Sequence, residues 1–246
     1  MTIWVGTGWK MNKTLAQARD YAETLAAVEQ ERWAGIQPFI LPPSTALAVV
    51  SAVLGPRSRV LVGAQNAHWA DAGAWTGEVS VPQVADAGAT IVEIGHSERR
   101  TFFAETDATV NLKVKATVRH GLTPLVCVGE PASVFAARGS VTYVLDEVRA
   151  ALQGVNDVSS VVLAYEPIWA IGSGGREAEP ADIADVFAAV QAEWGGSVQA
   201  VLFGGSVNLG NAVPILAVEG VDGLFVGRAA WDVDGFIELL DLVAAR

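Results

Sequence analysis

The 246-residue chain predicts an α/β fold, a single-domain (β/α)8 barrel covering residues 1–246. Three features predict it: eight short, apolar, β-rich runs, segments of helical period between most of them, and a length close to the roughly 250 residues such a barrel uses. Alternating strands and helices require a parallel sheet, because parallel strands are joined by crossovers that lay helices against the sheet. An open doubly wound sheet is the competing arrangement. It calls for a Gly-rich dinucleotide turn after the first strand, and "GTGWKMNK" lacks the G-x-G-x-x-G pattern.

The elements follow in order. The first run, "TIWVGTG" (2–8), precedes "TLAQARDYAETLAAVEQ" (14–30), whose apolar residues fall at i, i+3, i+4 and i+7. "PFIL" (38–41), "VLVGAQN" (60–66) and "TIVEIG" (90–95) are the next three strands, and "VNLKVKATVRHG" (110–121) is a helix after the fourth. "PLVCVG" (124–129) is the fifth strand, followed by the helical "VTYVLDEVRAALQGV" (141–155). "VVLAYEP" (161–167) is the sixth, followed by the helical "PADIADVFAAVQAEW" (180–194). "QAVLFGG" (199–205) and "GLFVG" (223–227) complete the set. No linker, low-complexity tract or charge block marks a second domain.

Composition narrows the function. With 51% hydrophobic and 17% charged residues the chain can bury a large core, while a formal net charge of −11 and scattered Lys and Arg give no field for nucleic acid. An anionic ligand must therefore be held by local donors, since the overall field repels it over more than about 8 Å in physiological salt. The single Cys127 excludes an internal disulfide and a Cys-rich metal site. The start, "MTIWVGTGWK", lacks the pattern of a signal peptide, and no apolar run reaches the ~18 residues of a membrane span. The expectation is a cytoplasmic protein with no membrane partner.

In such a barrel the working residues stand where strands end and βα loops begin. Strand one leads to Lys10, strand four to His96, strand six to Glu166, strand seven to Gly204, Gly205 and Ser206, and strand eight to Gly227 and Arg228. In "AYEPIWAIGSGG" (164–175) the carboxylate ends an apolar strand and a Gly-rich loop follows. A carboxylate base, an imidazole, a cation and Gly-rich turns thus converge on one mouth. His68 and His120 are read as structural, Cys127 as a packed core thiol, and Glu98 and Glu130 as structural partners near the site.

The segments "WKMN" (9–12), "GAQN" (63–66), "TGEVS" (76–80), "EIGHSERR" (93–100), "CVGE" (127–130), "YEPIWAIGSG" (165–174), "GGSV" (204–207) and "DGLFVG" (222–227) resemble the signature segments of triosephosphate isomerase, in the family's order. The resemblance implies a TIM barrel that moves a proton between adjacent carbons of a small phosphorylated sugar, with no cofactor and no metal. Such a reaction needs a carboxylate beside the carbon and a donor at the carbonyl oxygen. The resemblance assigns these roles to Glu166 and His96, and puts Lys10 beside the developing negative charge. It implies that Gly172, Ser206 and the turn at Gly227 bind phosphate, that a loop from Pro167 to about Glu177 closes over the substrate, and that the segment from Gln65 to Glu78 presents Thr76 to a second subunit in a homodimer.

Three departures mark this chain. Gly8 replaces the family's Asn two residues before the strand-one Lys, Arg228 replaces the second Gly of the phosphate turn, and the lid ends in "GGRE" (174–177). Loss of one preorganised donor typically lowers a rate by about 10²- to 10³-fold unless something replaces it. Loss of the Asn side chain also opens room beside the substrate, and Arg228 adds a planar donor fork for phosphate or hydroxyl oxygens. The expected substrate is therefore a four-carbon erythrulose phosphate, since paralogues of the family act in erythritol catabolism. The alternatives are an ordinary glycolytic triosephosphate isomerase and, against the retention of Lys10, His96 and Glu166 together, an inactive barrel used for binding.

Overall fold

The computed structural model describes every residue except Met1, Glu29 and Ser173, and of Gln30 only the backbone. Eight parallel strands close into a barrel in chain order: β1 (Ile3–Gly8), β2 (Ile36–Leu41), β3 (Leu61–Ala64), β4 (Ile91–Ile94), β5 (Thr123–Val128), β6 (Val162–Tyr165), β7 (Ala200–Phe203) and β8 (Gly223–Val226). β8 returns to β1 through the pairs Trp4 with Gly223, Val5 with Leu224, Gly6 with Phe225 and Thr7 with Val226. The helices outside are α1 (Leu15–Ala27), α2 (Leu47–Leu54), α3 (Val81–Asp86), α4 (Ser97–Phe102), α5 (Asp107–Arg119), α6 (Ala132–Ala136), α7 (Ser140–Leu152), α8 (Pro180–Trp194), α9 (Ala212–Leu216) and α10 (Val233–Ala244). None is long and apolar enough to cross a membrane.

The period of two along each strand sorts residues between two cores. Trp4, Phe39, Ile91, Leu125, Leu202 and Phe225 are among those that fill the barrel, while alternate residues such as Val5, Ile40, Val92, Leu163 and Leu224 pack under the helices. This parity decides the site, because Gly8 shares the inward face with Trp4, Glu93 with Ile91, and Glu166 with Val162 and Ala164. The helices dock by one apolar stripe. In α10, Phe236, Leu239, Leu240 and Val243 are buried at i, i+3, i+4 and i+7, each stabilising the layer by about 1.5–3 kcal/mol.

The helix expected at 180–194 matches α8, where Pro180 occupies the first turn and Glu179 and Asp182 form a reciprocal cap. The helix expected at 141–155 ends at Leu152, short of Gly154 with its φ of 64°. The one expected at 14–30 ends at Ala27, since Val28 turns extended. α2, α3, α6, α9 and α10 were not anticipated. The first four have eight, six, five and five residues, too few to display a clear apolar period.

Candidate active site

Glu166 is the first residue beyond β6, and its backbone N–H donates to the carbonyl of Val128 at 2.7 Å. Its side chain is 7% exposed and turns into the barrel mouth, where Oε2 has no hydrogen-bond partner. Burial raises its pKa above the ordinary value, against the opposing pull of His96, Cys127 and Lys10. The room it occupies is provided by Gly204 at the end of β7. A Cβ there would come within 2.7 Å of Glu166 Oε1 and 2.8 Å of its Cγ, so any other residue would displace the carboxylate.

His96 caps α4 two residues beyond β4, and its Nδ1 accepts the N–H of Glu98 at 3.1 Å. A ring that accepts at Nδ1 carries its single proton on Nε2. That nitrogen faces Glu166 Oε2 at 3.7 Å. The turn before it is anchored from below: Gly95 N–H donates to Glu105 Oε1 at 3.0 Å, while Arg99 and Lys113 donate to Glu105 Oε2 at 2.8 and 2.6 Å. Lys113 also reaches Asn66 at 2.7 Å, tying this network to the end of β3.

Lys10 adopts a left-handed backbone with φ of 52°, uncommon for a residue with a Cβ. Gln65 Nε2 holds that turn by donating to the carbonyls of Lys10 and Leu41 at 3.0 and 2.9 Å. The ammonium of Lys10 meets Glu98 Oε1 at 2.5 Å, and the other oxygen of Glu98 lies 3.7 Å from His96 Nδ1. Gly8 itself is buried, with its carbonyl accepting from the Trp231 indole at 3.0 Å.

The turns expected to bind phosphate are tied to the loop that follows Glu166. Ser206, also left-handed with φ of 48°, donates its hydroxyl to Ala170 O at 2.6 Å. Gly172 has φ of 82°, and its carbonyl accepts from Arg228 Nη2 at 3.2 Å. A Cβ on Gly227 would meet nothing within 4 Å, so the turn opens onto free space. The expected lid begins as a 3-10 turn, Ile168–Ala170, and its Ser173 lies outside the described residues. It is fixed at both ends: Trp169 Nε1 donates to the fully buried Glu130 at 2.7 Å, and Asn208 Nδ2 donates to Glu177 at 2.9 Å. Glu130 also accepts from Tyr165 and Ser140, a structural hub as expected.

Two expectations change. Arg228 is exposed and bonds a lid carbonyl, so its fork is engaged with the loop; it was expected to face the ligand. The room expected beside Gly8 is partly taken, since a Cβ there would lie 3.3 Å from Phe225 Cζ and 3.7 Å from Glu93 Oε2.

Glu93 itself was missed. It is 6% exposed inside the barrel, where burial first and the Glu166 charge second push its carboxyl well above the usual carboxylate value. The one signal in the sequence was a charge in the middle of an otherwise apolar strand, "TIVEIG". Glu93, His96 and Glu166 place ligand atoms within 4.8 Å of one another, the one such set among the described residues that could share a metal ion. Chemically, a carboxylate facing an imidazole N–H with an ammonium alongside can take a proton from carbon while the neighbouring oxygen is held by donors.

The family model described as triosephosphate isomerase matches residues 3–243. The chain is 51% identical over 247 residues to the L-erythrulose-1-phosphate isomerase of Mycolicibacterium smegmatis, covering 99% of this chain and 94% of that one. It is 49% identical over 252 residues to the L-erythrulose-1-phosphate isomerase of Mesorhizobium japonicum, covering 100% and 98%. Among solved structures, triosephosphate isomerase of Bartonella henselae superposes with a TM-score of 0.84 at 30% identity, covering 99% of both chains.

Proposed function

The chain belongs to the triosephosphate isomerase family, and we propose that it is a cytoplasmic isomerase of L-erythrulose 1-phosphate that uses Glu166 as base, with His96 and Lys10 as electrophiles. The observation that carries the proton transfer is the 3.7 Å approach of His96 Nε2 to Glu166 Oε2. The four-carbon substrate is supported by the names of the relatives and by Gly8.

The chemistry follows from the substrate. In HOCH2–CHOH–CO–CH2–OPO3 the carbonyl is at C2 and the carbon that can lose a proton is C3. Glu166 removes the C3 proton, the electron pair forms the C2–C3 enediolate, and the charge on the C2 oxygen is met by His96 Nε2–H and the Lys10 ammonium. The carboxyl of Glu166 returns the proton to C2 while the C3 hydroxyl proton passes, by way of His96, to the C2 oxygen, leaving a hydroxyl at C2 and the ketone at C3. The product is thus a second ketose phosphate, whereas a triose substrate would give an aldose.

Phosphate is held by backbone N–H groups around Gly172, Ser206 and Gly227, local donors of the kind a chain of net charge −11 requires. The closed lid excludes water and restrains the enediolate from expelling phosphate. Arg228, through Gly172 O, holds that lid. Replacing it, Arg228→Gly, lowers kcat/KM by roughly three- to tenfold, the size of one ordinary hydrogen bond. Steady-state kinetics checks this, and unchanged values on every phosphosugar would mean that Arg228 serves only solvation.

The homodimer is part of the same reading. Met11 next to Lys10 is 97% exposed, Phe102 and Phe103 at the end of α4 are 74% and 67% exposed, and Trp75 beside Thr76 is 48% exposed. A second copy would cover such apolar surface. Analytical ultracentrifugation should give twice the chain mass of 25.7 kDa, falling to one chain on Trp75→Glu; a monomeric wild type contradicts this.

A further inference from the structure

A carboxyl in the middle of a barrel packed with Trp4, Phe39, Ile91, Leu125 and Phe225 requires an explanation, because burying it without a partner is unfavourable. Among the described residues Glu93 has no ion pair, and the one hydrogen bond to its side chain is weak, accepted by Oε1 from Cys127 Sγ at 3.9 Å. Its other oxygen looks toward Gly8, 3.7 Å from where a Cβ would stand. His96 and Glu166 have ligand atoms within 4.8 Å of it. The carboxyl therefore lies on the floor of the mouth, directly beneath the base and the electrophile.

Any substrate placed for Glu166 to take a proton from C3 carries its fourth carbon on that same C3, so the terminal hydroxyl is two bonds from the reacting centre. Lys10 and His96 occupy the side toward the oxygens, and the phosphate turns lie beyond Ser206 and Gly227. The floor beside Gly8 remains, where an Asn side chain would otherwise project. We propose that Glu93 is the residue that recognises the fourth carbon, its carboxyl hydrogen-bonding the terminal hydroxyl on the floor beside Gly8.

This assignment rests on the four-carbon reading above, and it explains why an acid is kept where an apolar residue would pack. Burial first and the neighbouring Glu166 charge second raise the Glu93 carboxyl well above its ordinary value, which favours its protonated form. It can then donate through O–H and accept through C=O, matching both capacities of a hydroxyl. A three-carbon substrate would leave this carboxyl unanswered, which is how a polar site rejects an analogue lacking the group.

The test compares kcat/KM of the wild type and Glu93→Val on L-erythrulose 1-phosphate and on its 4-deoxy analogue, which ends in a methyl group. The wild type should favour the hydroxylated compound by about tenfold or more, and Glu93→Val should bring that preference close to one. Glu93→Gln, which keeps the shape and both hydrogen-bonding capacities, should retain most of it. If the Val variant does not fold, Glu93→Met is measured on the same pair. Equal losses on both compounds would mean that Glu93 acts through Glu166 or the fold, and would overturn the proposal. A wild type that turns over triose phosphate but neither four-carbon compound would overturn the substrate reading, and this inference with it. A wild type active on both without discriminating between them would overturn this inference alone.

Discussion

Shortening Glu166 to Asp should lower turnover by about 10²-fold, because withdrawing the carboxylate by one methylene misplaces it by roughly 1 Å from the carbon it must reach. The backbone cannot follow to compensate. Glu166 N–H is held to Val128 O at 2.7 Å, Pro167 follows immediately, and the Gly204 wall fits the longer side chain. Binding of a phosphorylated competitive inhibitor should be nearly unchanged, since the proposed phosphate donors are backbone N–H groups that the substitution leaves in place. The wild-type pH profile belongs to the same prediction. The base must be ionised, and burial raises its pKa above the ordinary 4.5, so kcat/KM should fall with decreasing pH along a limb lying above pH 4.5. Near-normal turnover by the folded Asp variant would remove Glu166 from the mechanism.

Restoring the family's side chain, Gly8→Asn, should lower kcat/KM on the four-carbon substrate by roughly 5- to 150-fold, equivalent to an overpacking penalty of about 1–3 kcal/mol. Gly8 does not need a positive φ, so Asn meets no backbone bar there. What it meets is Phe225, whose Cζ would lie 3.3 Å from the new Cβ, and then Glu93. Phe225 is stacked on Phe39 with centroids 5.8 Å apart, so it has little freedom to move aside. The clash should therefore be partly relieved in the pair Gly8→Asn with Phe225→Leu, which recovers stability and triose activity while the fourth carbon stays excluded. Melting curves alongside kinetics separate the two effects. If the folded single variant loses triose and tetrulose activity in equal proportion, Gly8 does not select for size.

The barrel was legible because each strand announces itself locally, and closure in chain order follows once parallel strands must be joined by outer helices. The strand-tip rule singled out Lys10, His96 and Glu166, which stand one or two residues beyond β1, β4 and β6. What escaped were relations between strands distant in sequence. Gly8, Glu93 and Phe225 come from β1, β4 and β8, and no periodicity within any one of them says that a Cβ on Gly8 would stand 3.3 Å from Phe225 and 3.7 Å from Glu93. Arg228 escaped for a related reason. Its long side chain can turn toward the site or toward the lid, and only the closeness of Gly172 decides between them. Short helices such as α6 and α9 were invisible because one turn carries no period.

The most direct test of the central claim is the steady-state kinetics of the wild-type protein on L-erythrulose 1-phosphate beside dihydroxyacetone phosphate and glyceraldehyde 3-phosphate, with the products identified. A four-carbon isomerase gives the higher kcat/KM on erythrulose phosphate and yields a second ketose phosphate; faster turnover of the trioses, or none of the tetrulose, would contradict it.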